Sequence, residues 1–425
     1  MTLSSRSMNI LLISAVYVLT LLVFQPVSAQ TEGETLLPWS QGVLDIHHIN
    51  TGRGEAAFLV FPDGTTLLID AGASSGTSSR SIPQIPDSTR SSGEWIVNYI
   101  RNTLNPDAEP KIDYALMTHF HGDHIGEPTE DSKKSAGGDY LLTGITEVGE
   151  SIKIRKIIDR GWPDYNFPMP MDKLMVNNYR TFIEWQIENN SLRVERFEAG
   201  RYDQILPVHE PERYPGFTIR NIAVNGEIWT GNGTETSSVI PPVEQIKSED
   251  WEDRPNENMF STVLRLSYGN FDYYTGGDIP GYPWPGAPAW SDLETPVAKV
   301  VGEVDVHVLN HHGFVDAAND FFLKTLKPRV NIVQVLGASH LCASVFRRLT
   351  SRKLYPGPRD IFTTNLHEAK KLILGSSAKD AIMSSRGHIL VRVANGGDSY
   401  KVIILDDLEV ETLRIKSVHG PYEAR

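Results

Sequence analysis

Four side chains that could bind a metal ion follow one short apolar segment. The segment from Tyr114 to Met117 predicts a strand buried on both faces, and it leads into His119, His121, Asp123 and His124. Imidazole nitrogens and carboxylate oxygens are the ligands that zinc and similar divalent cations prefer. The first two histidines can approach one cation together, while Asp123 and His124 are expected to face a second cation. The spacing therefore predicts a metal site at the end of a strand.

Ligand-type residues also follow two later strands. Asp278 comes after two glycines at the end of a predicted strand, and His311 and His312 follow the predicted strand 304–309. Because ligands in α/β proteins gather outside the carboxyl ends of strands, we expect these three strand ends to meet. Asp278 is suited to bridge two cations, which would share a hydroxide and promote hydrolysis. The sequence does not choose between the two histidines, although His311 is preferred because it is nearer the strand end.

The composition limits the kinds of ligand. The chain has 425 residues and a formal net charge of −13, which argues against non-specific nucleic-acid binding because such binding relies on Lys and Arg. Cys342 is the single cysteine, so an internal disulfide framework and a thiolate-rich metal site are excluded. Any metal must therefore be held by nitrogen and oxygen. We expect a small-molecule or phosphodiester substrate, and the oligomeric state stays open.

The N-terminal segment has the order of a secretory signal peptide. A polar stretch with one Arg covers residues 1–9, an apolar run covers 10–24, and small residues end at Ala29. We therefore expect cleavage after Ala29 and export of the chain to the periplasm or the medium. The alternative is an uncleaved membrane anchor, although the run is short for a span. After cleavage no stable membrane span is expected.

Strands and helices alternate through the rest of the chain. The segments 44–50, 56–61 and 65–69 are predicted strands, and a Pro-Asp-Gly turn joins the last two into a hairpin. The third strand ends at Asp70, and a carboxylate at the end of a buried strand needs hydrogen-bond partners. Later, the strand 217–224 ends at Asn225. Strand ends thus carry most of the candidate residues.

The motif residues resemble those of a known family. His-x-His-x-Asp-His at 119–124, with Asp70 upstream and Asp278 and His-His-Gly at 311–313 downstream, is similar to the metallo-β-lactamase superfamily. Within that superfamily, the segment from Asn258 to Gly313 looks like the extracytoplasmic hydrolase-like domain of bacterial DNA-uptake channel proteins and their stand-alone relatives. The resemblance implies an αββα sandwich, an α/β fold in which two packed mixed sheets are flanked by helices.

The resemblance covers roughly residues 44 to 340. The domain would then span 30–425 and include a C-terminal extension at about 341–425. In the implied site, His119 and His121 would hold one cation. Asp123, His124 and either His311 or His312 would hold the other, and Asp278 would bridge the two. Asp123 and Asp278 are also the expected catalytic residues. The implied metal ligands are His119, His121, Asp123, His124, Asp278, His311 and His312.

One ligand usual in that superfamily is missing. A third histidine on the first cation would lie between the motif and the bridging aspartate, where the chain has only His209, in a proline-flanked loop, and Asn225 after the expected strand. The first cation is therefore expected to be bound weakly, through Asn225, or to be absent, and His209 is the less favoured alternative ligand. Asp70 would orient a ligand imidazole, and His340 would line the site and face substrate.

Two functions remain open at this point. The first is an exported hydrolase that uses a metal-bound hydroxide on a phosphodiester or on an ester or lactone, with one or two zinc ions or with manganese. The second is a non-catalytic metal-binding module that retains the fold. The intact His-x-His-x-Asp-His motif and Asp278 favour the hydrolase.

Overall fold

The structure is a computed structural model that describes residues 30–76, 78–104, 109–242, 255–282 and 286–425. The predicted signal peptide, residues 1–29, lies outside the described residues. Within the described ranges, no helix is both long enough and apolar enough to cross a bilayer.

The first of two sheets combines strands from both ends of the chain. Its strands are β1 Leu44–His48, β2 Ala57–Val60, β3 Thr66–Ile69, β4 Lys111–Met117, β5 Lys153–Asp159, β6 Arg193–Arg196, β16 His388–Val393, β17 Ser399–Leu405 and β18 Ile415–Glu423. Their order is β18-β17-β16-β1-β2-β3-β4-β5-β6. The neighbours from β3 to β6 are parallel, and the other pairs are antiparallel. The sheet is therefore mixed, and its parallel half carries the metal-ligand motif.

The second sheet has the same mixed character. Its strands are β7 Phe217–Val224, β8 Glu227–Trp229, β9 Thr236–Ser238, β10 Val263–Tyr268, β11 Phe271–Thr275, β12 Val306–Val308, β13 Val330–Val333, β14 Asp360–Thr363 and β15 Ile382–Ser384. Their order is β15-β14-β13-β12-β11-β10-β7-β8-β9. The neighbours from β11 to β15 are parallel. The carboxyl ends of β11 and β12 carry the later candidate ligands.

Helices cover the outer faces of the two sheets. Their bounds are α1 Ser92–Thr103, α2 Gly122–Ile125, α3 Ile145–Ser151, α4 Leu174–Asn190, α5 Glu294–Val301, α6 Asp320–Leu326, α7 Ala343–Thr350, α8 Glu368–Leu374 and α9 Ser376–Ala381. One apolar cluster joins the first sheet to α1, α3 and α4, and another joins the second sheet to α5, α6 and α7. A third cluster lies between the sheets. The layers follow the αββα order, so the fold class expected from the sequence is confirmed.

The alternation along β10 shows why the sheets pack face to face. Leu264, Leu266 and Tyr268 point into the cluster between the sheets, whereas Val263 points into the outer cluster beneath the helices. Because one face of β10 carries three large apolar side chains in alternation, that face is stable only when another layer covers it. Each fully buried side chain of this kind contributes roughly 1.5–3 kcal/mol of hydrophobic free energy.

The residues after about 341, expected as an extension, complete both sheets. β14 and β15 continue the parallel part of the second sheet, and β16 pairs with β1 in the first sheet. The C-terminal segment is thus built into the same sandwich that positions the candidate site.

Candidate metal centre

The motif histidines lie where two parallel strands of the first sheet end. Ile69 in β3 lies opposite Leu116 in β4, so Asp70 and Thr118 emerge side by side. The Asp70 N–H donates to the Leu116 carbonyl at 2.9 Å, which extends the ladder into the turn. The loop that carries the ligands therefore starts from a fixed, buried edge.

Asp70 holds the start of this loop with both carboxylate oxygens. Oδ1 accepts the Thr118 N–H at 2.8 Å, and Oδ2 accepts the Thr118 hydroxyl at 2.7 Å. Oδ2 also accepts the Nδ1–H of His124 at 2.7 Å, which turns His124 Nε2 towards the interior of the site. This is the arrangement expected of a carboxylate that orients a ligand imidazole.

A single helical turn carries the second half of the motif. α2 follows His121 directly and contains Asp123 and His124. Gly72 makes room for this turn, because a Cβ there would lie 1.8 Å from the Asp123 carbonyl oxygen. His119 and His124 are fully buried, whereas His121 and Asp123 are half-buried. The motif thus offers two deep and two accessible side chains.

The second sheet supplies the remaining ligand-type residues. Asp278 follows β11, and its N–H donates to Ser261 Oγ at 3.1 Å. His311 and His312, which follow β12, have φ values of 46° and 53°. Left-handed backbone at residues with a Cβ costs roughly 1–3 kcal/mol each, and such residues cluster at functional sites. The strained turn brings both imidazoles near Asp278.

Two groups of ligand atoms meet at the two oxygens of Asp278. In the first half-site, His119 Nε2 lies 3.7 Å from Asp278 Oδ2 and 3.1 Å from His121 Nδ1. In the second half-site, His124 Nε2 and His312 Nε2 lie 3.4 and 3.6 Å from Asp278 Oδ1. Asp123 Oδ2 lies 3.4 Å from His312 Nε2 and belongs to the second half-site. The structure therefore brings the bridging aspartate between two sets of donors.

The second half-site has the donor set that a divalent cation requires. His124 donates its Nδ1–H to Asp70, and the Nδ1–H of His312 is donated to the Gln334 carbonyl at 3.1 Å. Both Nε2 atoms then carry lone pairs in the neutral rings, yet they face each other at 3.3 Å. Asp278 Oδ1 beside them is buried and has no hydrogen-bond partner within the described residues. Positive charge is needed among these atoms, so the residues fit a metal ion.

Burial and the nearby carboxylates together shift the pKa values of the histidines in the site. Burial alone would lower the pKa of His312, but Asp278 and Asp123 raise it to about 9. Burial likewise opposes the charge on His124, yet Asp278 and Asp70 raise its pKa well above the usual value. Burial instead lowers the pKa of His119. The second half-site therefore attracts positive charge, as protons or as a cation, and metal binding would displace those protons.

Glu55 is a site residue that the sequence analysis missed. It lies in the turn before β2, is buried, and groups with His124, Asp278 and His312, with ligand-type atoms within 4.8 Å of one another. Burial raises the pKa of its carboxyl to about 7. The available signal was a carboxylate in a glycine-containing turn directly before a buried strand, but no spacing relates it to the motif.

His311 and His340 border the two half-sites. His311 Nε2 lies 4.0 Å from Asp278 Oδ2, and its Nδ1–H is donated to Asp316 Oδ1 at 2.8 Å. His340 stacks on His312 with ring centroids 4.9 Å apart. The structure thus brings both later histidines to the site, with His312 in the second half-site and His311 on the side of the first.

Both polar atoms of the Asn225 side chain are hydrogen-bonded to Arg160. Its Oδ1 accepts Arg160 Nη1–H at 3.1 Å, and its Nδ2 donates to the Arg160 carbonyl at 3.0 Å. His209 lies 3.6 Å from Asp113 near the start of β4, and His119 follows Asp113 by six steps of largely extended chain, or roughly 20 Å. Neither residue is placed to complete the first half-site.

A buried ion pair supports the first half-site instead. Arg160 is fully buried and donates from Nε to Glu257 Oε1 at 2.7 Å and from Nη2 to Glu257 Oε2. The same Oε1 accepts the Phe120 N–H at 2.8 Å, and Phe120 lies between the two histidines of this half-site. The Arg160–Glu257 pair therefore fixes the backbone that presents His119 and His121.

The comparisons with known proteins agree with this architecture. Residues 50–127, which include Glu55, Asp70 and the whole His-x-His-x-Asp-His motif, match the family model described as the Metallo-beta-lactamase superfamily. This part of the chain is thus similar to the metallo-β-lactamase superfamily, whose members are mostly hydrolases. A search of curated proteins gave no match.

The solved structures that align with this chain are distant in sequence. A putative metal-dependent hydrolase from Parabacteroides distasonis is 13% identical, with 80% of this chain and 100% of that chain covered and a TM-score of 0.35. A diphosphatase from the PhnP family is 11% identical, with 68% and 85% covered and a TM-score of 0.30. The short form of human tRNase Z is 10% identical, with 75% and 91% covered and a TM-score of 0.31.

Proposed function

We propose that this protein is an exported metal-dependent hydrolase that holds one or two divalent cations, zinc or manganese, between its two sheets. The observation that carries the proposal is the contact of 3.3 Å between His124 Nε2 and His312 Nε2 beside the unpartnered Oδ1 of Asp278. These atoms repel one another unless positive charge lies among them. A divalent cation would meet that need and would supply Lewis-acid activation of water and substrate.

Three residues of the chain have separate proposed roles in such a site. Asp278 directs one oxygen to each half-site and is proposed to keep two cations close together. Asp123, which is half-buried, lies at the accessible edge with His121 and is proposed to position the reacting groups. His340, stacked on His312, borders the same edge and is proposed to face substrate.

The proposed substrate is a phosphodiester, with an ester or lactone as the second class. The phosphodiester is supported by the resemblance of Asn258 to Gly313 to the hydrolase-like domain of DNA-uptake channel proteins. The ester or lactone is supported by the wider superfamily and by a net charge of −13, which disfavours polyanionic substrates. Export is supported by the polar, apolar and small-residue order of residues 1–29, and N-terminal sequencing is expected to start at Gln30.

Metal content and hydrolysis together test the proposal. Purified protein is loaded with zinc or manganese and assayed with bis-p-nitrophenyl phosphate and with a p-nitrophenyl ester and a lactone. Asp278→Asn is expected to lose bound metal and hydrolysis, because it weakens both half-sites at once, whereas Asp131→Asn, at an exposed position, is expected to retain both. Metal binding without hydrolysis of any class would favour the non-catalytic module. A protein that binds no metal would overturn the proposal.

A further inference from the structure

Glu55 reaches the second half-site from a turn whose backbone is fixed on both sides. Its N–H donates to the Asp123 carbonyl at 2.8 Å, and its carbonyl accepts the Gly72 N–H at 2.9 Å. The side chain is 4% exposed. Because the turn is bonded to the motif loop itself, the backbone that carries Glu55 cannot shift without disturbing Asp123.

The two oxygens of Glu55 have different surroundings. Oε1 accepts a hydrogen bond from Gln334 Nε2 at 2.7 Å. Oε2 lies 3.5 Å from His312 Nδ1, but the hydrogen on that nitrogen is donated to the Gln334 carbonyl at 3.1 Å. Within the part of the chain that the structure describes, Glu55 pairs with His312, and no Lys or Arg neutralises this buried carboxylate.

The donors available to the two cations are therefore unequal. The second half-site gathers three carboxylates and two imidazoles, from Glu55, Asp123, Asp278, His124 and His312. The first has the imidazoles of His119 and His121 and one oxygen of the shared Asp278, with His311 Nε2 at its edge, 4.0 Å from Asp278 Oδ2. Zinc is satisfied by four ligands and favours nitrogen and sulfur, whereas manganese favours carboxylate and water oxygens and a larger number of ligands.

We propose that Glu55 makes the second half-site selective for an oxygen-preferring cation such as Mn²⁺. The inference rests on the proposed metal site and adds the kind of cation that the site retains. Glu55 acts through its charge and its oxygen, so replacing it by glutamine, which keeps its size and removes the charge, is the informative change.

The test measures binding of each metal alone, without a catalytic readout. Mn²⁺ and Zn²⁺ affinities of the tight site are measured by competition with a chromophoric chelator for the wild type, Glu55→Gln and the control Glu188→Gln, which changes an exposed position. Glu55→Gln is expected to weaken Mn²⁺ binding about 100-fold and Zn²⁺ binding about tenfold or less, within the range found for groups around metal sites. The control is expected to change neither affinity.

Two outcomes would overturn the inference while leaving the proposed function intact. Unchanged affinities for both metals would place Glu55 outside the metal site. Equal losses for both metals would make it a positioning residue without selectivity. Circular dichroism of the chelator-treated variant shows whether the fold is retained. Should Glu55→Gln fail to fold, Glu55→Asp, which keeps the charge on a shorter side chain, is expected to preserve the preference for Mn²⁺ over Zn²⁺, and loss of that preference would contradict the inference.

Discussion

The two half-sites share Asp278 but differ in burial, charge and support. In the second, both ligand imidazoles are fully buried, and each has its Nδ1–H fixed by an acceptor, Asp70 for one and the Gln334 carbonyl for the other. In the first, His121 is half-buried, and its Nδ1 faces His119 at 3.1 Å. The same motif thus supplies ligand-type residues to two half-sites that differ in burial and in hydrogen-bond support.

For the proposed metal centre, the difference predicts that the surroundings, rather than the motif alone, set how firmly each cation is held. Two histidines of one loop form most of the first half-site, and a buried ion pair supports the peptide between them. The second half-site draws on both sheets. We therefore expect one tightly held cation in the second half-site and one weakly held cation in the first, and the variants below test that order.

The largest difference is expected between two histidine variants. His312→Ala removes a buried nitrogen from the second half-site and is expected to weaken its cation by at least about 100-fold, since even groups outside the ligand set contribute 10–100-fold. His121→Ala is expected to remove only the weakly held cation. Equilibrium dialysis followed by elemental analysis measures both. The order is wrong if His121→Ala strips the tightly held cation.

A smaller effect is expected when the support of His124 is changed. Asp70→Asn replaces the acceptor of the His124 Nδ1–H with an amide that can donate, so the imidazole loses its fixed orientation. We expect the tight cation to be bound about 10–100-fold more weakly, with the weak cation little changed. Chelator competition measures both affinities, and Asp131→Asn is the exposed control. An equal loss at the two half-sites would show that Asp70 supports the whole loop.

The smallest effect on metal binding is expected at the first half-site. Glu257→Gln keeps an acceptor for the Phe120 N–H but removes the charge that pairs with Arg160. We expect the weak cation to be bound about tenfold more weakly and the tight cation to be unaffected. Breaking a buried ion pair also costs about 3–5 kcal/mol of stability, which denaturant unfolding measures. Glu188→Gln should change neither quantity, and a loss confined to the tight cation would contradict this assignment.

The fold could be predicted from the sequence because its strongest indications come from residues that are close together in the chain. The apolar run before His119 and the segment 217–224 predict strands at the positions where β4 and β7 lie. The motif spacing then indicated the superfamily that residues 50–127 match. These signals involve neighbours in the chain, so they can be read without knowing the tertiary structure.

The parts of the site that were missed depend on contacts between distant segments. Glu55 meets His312 across a separation of more than 250 residues, and Arg160 meets Glu257 across 97. No periodicity or spacing encodes either contact. The difference between His311 and His312 likewise depends on two successive left-handed residues, a conformation that sequence rarely indicates outside glycine.

Because the site lies between the two sheets, a bound cation would also affect the stability of the fold. The motif, Asp70 and Glu55 belong to loops of the first sheet, whereas Asp278, His311 and His312 follow strands of the second. A cation held by both sets would be a crosslink between two layers whose other contacts are mainly apolar. Ligand at 100 times its dissociation constant adds about 2.7 kcal/mol to the free energy of unfolding. The supply of metal around the protein would then set how long the sandwich resists heat and proteases.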